Sequence, residues 1–102
     1  MNATKTITAE NILADYATDI AFVAEEEPAT TLADLAAHLY ACGDPFEMAG
    51  FTDAKEEADA AATYLTDAAA STDPTEYAVL LKKAAGRLPY VGDIASEYRD
   101  MC

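Results

Sequence analysis

The chain has 102 residues, 19 carboxylates against six lysines and arginines, and a formal net charge of -13. At that length it is a single domain, and so one-signed a surface repels nucleic acid and anionic membranes, which excludes direct binding to either. The 52% hydrophobic share contains 24 alanines and only 18 Leu, Ile, Val or Phe residues, so the core is thin and depends on close helix packing.

Residues 1–7 read as a loose tail ahead of a single acidic helical domain over 8–102. Thr8 is placed to cap a first helix, about Ala9 to Glu26, which Pro28 stops. On a helical wheel Ile12, Leu13, Tyr16, Ala17, Ile20 and Val23 share one side, and Asn11, Asp15, Asp19 and Glu26 line the other. Thr31 with Asp34 forms a capping pair for a second helix, Leu32 to Cys42, whose apolar line is Leu32, Leu35, Ala36 and Leu39. Asp44 to Gly50 reads as one short helical turn opened by Pro45.

Thr52 is expected to cap a third long helix, Asp53 to Ala70, with Ala54, Ala58, Ala61, Leu65 and Ala68 inward. Its outward residues are Glu56, Asp59, Thr63 and Asp67. Asp73-Pro74 starts a fourth helix reaching Arg87, with Tyr77, Leu80, Leu81, Ala84 and Leu88 as its buried stripe, and Pro89 ends it. A turn at Tyr90-Val91-Gly92 leads to a last helix capped by Asp93, with Ile94, Tyr98 and Met101 on one side. No run alternates with a period of two, so the fold class is all-α, a small bundle of four to five short helices.

Charge is unevenly distributed along this string. Between Lys5 and Lys55 there is no lysine or arginine, while ten carboxylates run from Glu10 to Asp53. Residues three and four apart on a helix are surface neighbours, so Asp15 with Asp19, and Glu56 with Asp59 and Asp67, form rows of negative charge comparable to a phosphate backbone. Phe22 falls within the arc of Asp15, Asp19 and Glu26, an aromatic ringed by charge as in a binding hot spot. Glu25, Glu26 and Glu27 crowd the negative end of the first helix dipole, a local cost that points to a partner. These nine residues, Asp15, Asp19, Phe22, Glu25, Glu26, Glu27, Glu56, Asp59 and Asp67, are the candidate partner-binding set.

The remaining features suggest plainer roles. Lys82, Lys83 and Arg87 complement their own helix dipole and allow contact with the acidic half of the same chain or of a second copy, so a homodimer is compatible with the sequence. His38, four residues after Asp34, reads as a surface ion pair. No metal-ligand spacing, phosphate-cradling glycine loop or nucleophile elbow is present, so neither catalysis nor a cofactor is expected. The serines, Ser71 and Ser96, do not sit in the Asp-Ser-Leu setting of a carrier protein. Without a membrane-length apolar run or a signal peptide, the expected location is the cytoplasm, with Cys42 and Cys102 as free thiols and a disulfide between them as the alternative.

The expected function is a non-enzymatic acidic inhibitor that occupies the basic, nucleic-acid-binding surface of another protein, in the manner of a DNA mimic. Small size, no catalytic set and one-signed charge are also attributes of anti-CRISPR and anti-restriction proteins of phages and mobile elements, a likeness of type without a shared motif. Phe46, Met48 and Phe51 read as a plug for the end of the bundle; the alternative function, an acidic helical adaptor whose charge serves solubility in high salt, uses the same three residues as an exposed apolar lip that binds a partner.

Overall fold

Alanine and leucine at three- and four-residue spacing wind most of the chain into helix. A computed structural model describes residues 7–101, so the expected tail, apart from Ile7, and Cys102 lie outside the described residues. The elements are α1 (Ala9–Ala24), α2 (Leu32–Ala41), α3 (Gly43–Met48), α4 (Thr52–Ala70) and α5 (Pro74–Asp100).

Side chains cap three of the five helices as the sequence indicates. The Asn11 amide donates to Thr8 Oγ1 at 3.1 Å, Asp34 to Thr31 Oγ1 at 3.1 Å and Thr75 to Asp73 Oδ1 at 3.0 Å. Thr52, in contrast, is the first residue of α4 rather than its cap. The Phe51 amide donates to the Phe46 carbonyl at 2.8 Å, and the Phe51 carbonyl receives the Ala54 amide, so backbone from the preceding turn does that work.

The end of α1 also differs from expectation. The helix stops at Ala24, two residues short of Glu26 and well before Pro28, because Glu25 adopts a left-handed conformation with φ 58° and ψ 46°. The Glu26 amide then closes on the Ala21 carbonyl at 2.9 Å, satisfying a carbonyl that the helix end leaves open.

The larger correction lies at Pro89. It does not end a helix; α5 runs unbroken through it for 27 residues, and the expected turn at Tyr90-Val91-Gly92 and the cap at Asp93 are helix interior. Proline removes one backbone donor and costs about 3 kcal/mol inside a helix. The buried stripe Leu81, Ala84, Leu88, Val91, Ile94 and Ala95 nevertheless keeps helical register across it, and Pro89 itself faces solvent. Burying Leu88, Val91 and Ala95 completely outweighs one missing bond on the wet side.

α4 lies along the first part of α5 in the opposite direction, with Glu57 beside Arg87 and Tyr64 beside Lys83. Buried Ala54, Ala58, Ala61, Ala62 and Ala68 let these two backbones approach closely. The last part of α5 runs parallel to α1, with Gly92 against Tyr16 and Arg99 against Asp19 and Phe22. A Cβ at Gly92 would meet the Tyr16 ring at 3.1 Å, so glycine is what admits that ring. α2 bridges α1 and α4, which sit across the bundle from each other, and α3 closes one end against α4.

The inward stripes of α1, α2 and α4 fall as expected, with Leu13, Tyr16, Tyr77, Leu80 and Tyr98 at the margin of the core. Met101 does not join Ile94 and Tyr98 but is 63% exposed, just past the end of α5 at Asp100. The apolar lip is dismantled as well. Phe46 is fully buried, edge-on to Tyr98 with ring centroids 6.3 Å apart, and Phe51 is half-buried, leaving Met48 alone in solvent. No helix among the described residues is long and apolar enough to cross a membrane.

Candidate protein-binding interface

The nine candidate residues do not form one surface. Asp15, Asp19 and Phe22 belong to α1 and Glu25, Glu26 and Glu27 to the segment after it, while Glu56, Asp59 and Asp67 belong to α4 on the far side of the bundle. The expected single field therefore divides into two flanks. The division follows from α2 and α5 packing between α1 and α4, an arrangement that wheel diagrams of separate helices do not contain.

On the first flank α1 and the second part of α5 form an acidic groove. Asp15, Tyr16 and Asp19 face Pro89, Gly92, Asp93 and Ser96 across it. Because α5 is continuous at Pro89, Asp93 adds a third carboxylate beside Asp15 and Asp19 instead of capping a helix. The Tyr16 phenol registers this field: burial first, then the charges of Asp15 and Asp93, push it above its usual value of 10.0.

Further along α1 the groove opens into a hollow lined by Ala21, Phe22, Glu25, Glu26 and Tyr98. Phe22 is 42% exposed, its ring covered in part by α5 through Arg99 and otherwise open to solvent. The left-handed conformation of Glu25 costs about 1 kcal/mol for a residue with a side chain. That cost is offset by the closure of Glu26 on Ala21 at the helix end, which leaves the Glu25 side chain at the rim of the hollow. Glu27 is exposed in the connection to α2.

Arg99, which the sequence does not single out, joins groove and hollow. Its Nη1 donates to Asp19 Oδ1 at 2.5 Å, and its guanidinium carbon lies 5.7 Å from the Phe22 ring centroid. The spacing between Asp19 and Arg99 is 80 residues, and the contact depends on α5 crossing Pro89 intact.

The second flank is more nearly neutralised. Arg87 pairs with Glu57 at 2.5 Å and Lys55 with Glu47 at 3.4 Å, and Lys83 stands 5.8 Å from the Tyr64 ring centroid. Of the three cations expected to make such a contact, Arg87 and Lys83 make it within the chain, with Glu57 and Tyr64 of α4 rather than with the acidic first half, and Lys82 is exposed. Glu56 shares a shallow acidic hollow with Asp53, Glu57 and Tyr90, and Asp67 lies in a separate one with Glu76 and Lys83. Asp59 is half-buried, and its carbonyl accepts from Thr63 Oγ1 at 3.0 Å.

His38 does not pair with Asp34. Its ring is half-buried with Nδ1 enclosed and unpartnered among the described residues, so it is held against the protein rather than extended along the helix toward the carboxylate. Cys42 is a free, fully buried thiol whose Sγ approaches the Ile20 carbonyl at 3.6 Å, and burial pushes it up to about 12. No group of three or more His, Cys, Asp or Glu among the described residues is arranged to hold a metal ion. Compared with protein-family models, curated proteins and solved structures, the chain matches none.

Proposed function

We propose that this protein is a non-enzymatic binding protein that presents the carboxylates of the α1–α5 groove to the basic, nucleic-acid-binding surface of another protein and so blocks it. The observation that carries the reading is the convergence of Asp15, Asp19 and Asp93 along one groove, continued by Glu25 and Glu26 around the exposed ring of Phe22. Carboxylates repeated along a helix resemble the regular charge of a nucleic-acid backbone, and an aromatic beside them supplies apolar anchoring. Glu56, Asp59 and Asp67 face elsewhere and are not part of this contact. The adaptor reading has less surface to use, since Phe46 is buried and its lip is reduced to Met48 and the exposed part of Phe51.

Immobilised protein used to capture partners from a lysate tests this directly, provided that the captured proteins are then challenged with duplex DNA and with salt. Basic nucleic-acid-binding proteins should be captured, then released by DNA and by a rise from low to moderate salt. The Asp15→Lys/Asp19→Lys double variant should retain the helical content and capture none of them. Partners that stay bound through both challenges, or that the charge-reversed protein still captures, would sink the proposal.

A further inference from the structure

Resting on that reading, we infer that Asp19 and Phe22 form an arginine-reading subsite, that Arg99 occupies it in the free protein, and that a guanidinium from the basic partner displaces Arg99. Two groups of different chemistry meet here around one cation: the carboxylate of Asp19 at 2.5 Å and the ring of Phe22 at 5.7 Å. A guanidinium is planar and weakly hydrated, so it stacks on an aromatic face while donating sideways to a carboxylate; a lysine ammonium, compact and strongly hydrated, gains less from the same pair.

Displacement is feasible because the contact is open to water. The Arg99 side chain is 50% exposed and Asp19 is 33% exposed, and ion pairs in such settings hold weakly. Arg99 lies in the last turn of α5 and can swing away without disturbing the buried stripe. What it would leave behind is the Asp19 carboxylate beside an aromatic ring already partly in solvent, next to the hollow that Glu25 and Glu26 line. Arg99 thus acts as an internal competitor for Asp19 and Phe22, lowering affinity for any arginine that approaches them.

The experiment measures binding of two labelled peptides of equal length and charge, one arginine-glycine and one lysine-glycine, by fluorescence anisotropy at low salt. The full chain is compared with Arg99→Ala, Phe22→Ala and Lys82→Ala, the last changing net charge by the same amount as Arg99→Ala but at a distance from the hollow. Removing Arg99 should tighten the arginine peptide about fivefold beyond the Lys82→Ala effect, the combined size of an exposed ion pair and a cation–aromatic contact. The lysine peptide should respond to the two variants alike. Phe22→Ala should abolish the wild-type preference for arginine.

If both peptides bind but Arg99→Ala acts no differently from Lys82→Ala, or Phe22→Ala leaves the preference intact, the subsite is refuted while the acidic groove stands as a binding surface. If neither peptide binds any form of the protein, the charge-based reading of the groove fails and the subsite with it.

Discussion

The two halves of α5 carry similar buried stripes and opposite surroundings. Before Pro89 the helix lies on the alanine seam of α4, and its cations Lys83 and Arg87 are used at once by Tyr64 and Glu57. After Pro89 it lies on α1, where Asp15, Asp19 and Asp93 gather and the cation found among them is Arg99. One rigid element thus supports a flank that satisfies its charge internally and a flank that leaves charge over. Packing alone does not distinguish them; the difference lies in which neighbour each half meets.

The comparison breaks most severely at the junction. Leu88 is fully buried one residue before Pro89, and Leu88→Ala should cost about 3 kcal/mol, read from the midpoint of urea unfolding. A cost below about 1 kcal/mol would mean that the two halves are not held together by this stripe. Glu25→Gly should act in the other direction. Glycine accepts the left-handed conformation freely and removes a negative charge from the end of α1, so the melting temperature should rise by the equivalent of about 1 kcal/mol. A lower melting temperature would show that the Glu25 side chain holds the hollow together.

Alkaline pH separates core from groove. Cys42 has its folded value raised from 9.0 to about 12, so its contribution to stability is complete below pH 9.0 and is lost as pH rises toward about 12. Tyr16 is shifted in the same direction, so it too favours the folded state below its usual 10.0 and stops doing so above it. Asp93→Asn should lower the Tyr16 titration, followed by carbon NMR at the ring Cζ, without returning it fully to 10.0, since burial is the larger cause. Arg87→Ala, on the opposite flank, should leave that titration unmoved. The smallest effect belongs to the Arg87–Glu57 pair: a double-mutant cycle should give no more than about 1 kcal/mol, as expected for a partly exposed contact.

Most of the architecture was legible because periodicity is local. Ile12 through Val23, Leu32 through Leu39 and Ala54 through Ala68 announce their inward faces without knowledge of their neighbours. Pro89 departs from the expected helix end because its cost is local while the gain from Val91, Ile94 and Ala95 arises only when α1 is in place. The candidate site was less legible for the same reason. Asp15, Asp19 and Phe22 could be placed on one arc of one helix, but Asp93 and Arg99 join them only through tertiary contact. Phe46 and Phe51 illustrate the converse: large apolar residues crowded into a short segment read as a plug without knowledge of what they plug, and Phe46 is fully buried and Phe51 half-buried there, while Met48 stays in solvent.

The seam between α4 and α5 has a consequence for how such a molecule can change over generations. Where two backbones are separated mainly by methyl groups, almost any enlargement inside the seam overpacks it, whereas residues pointing outward from α1 and α5 touch little that determines shape. Selection can therefore alter the outer lettering at small cost while the scaffold stays put, so that a new binding preference can arise by exchanging a few surface residues that neither cap nor pair.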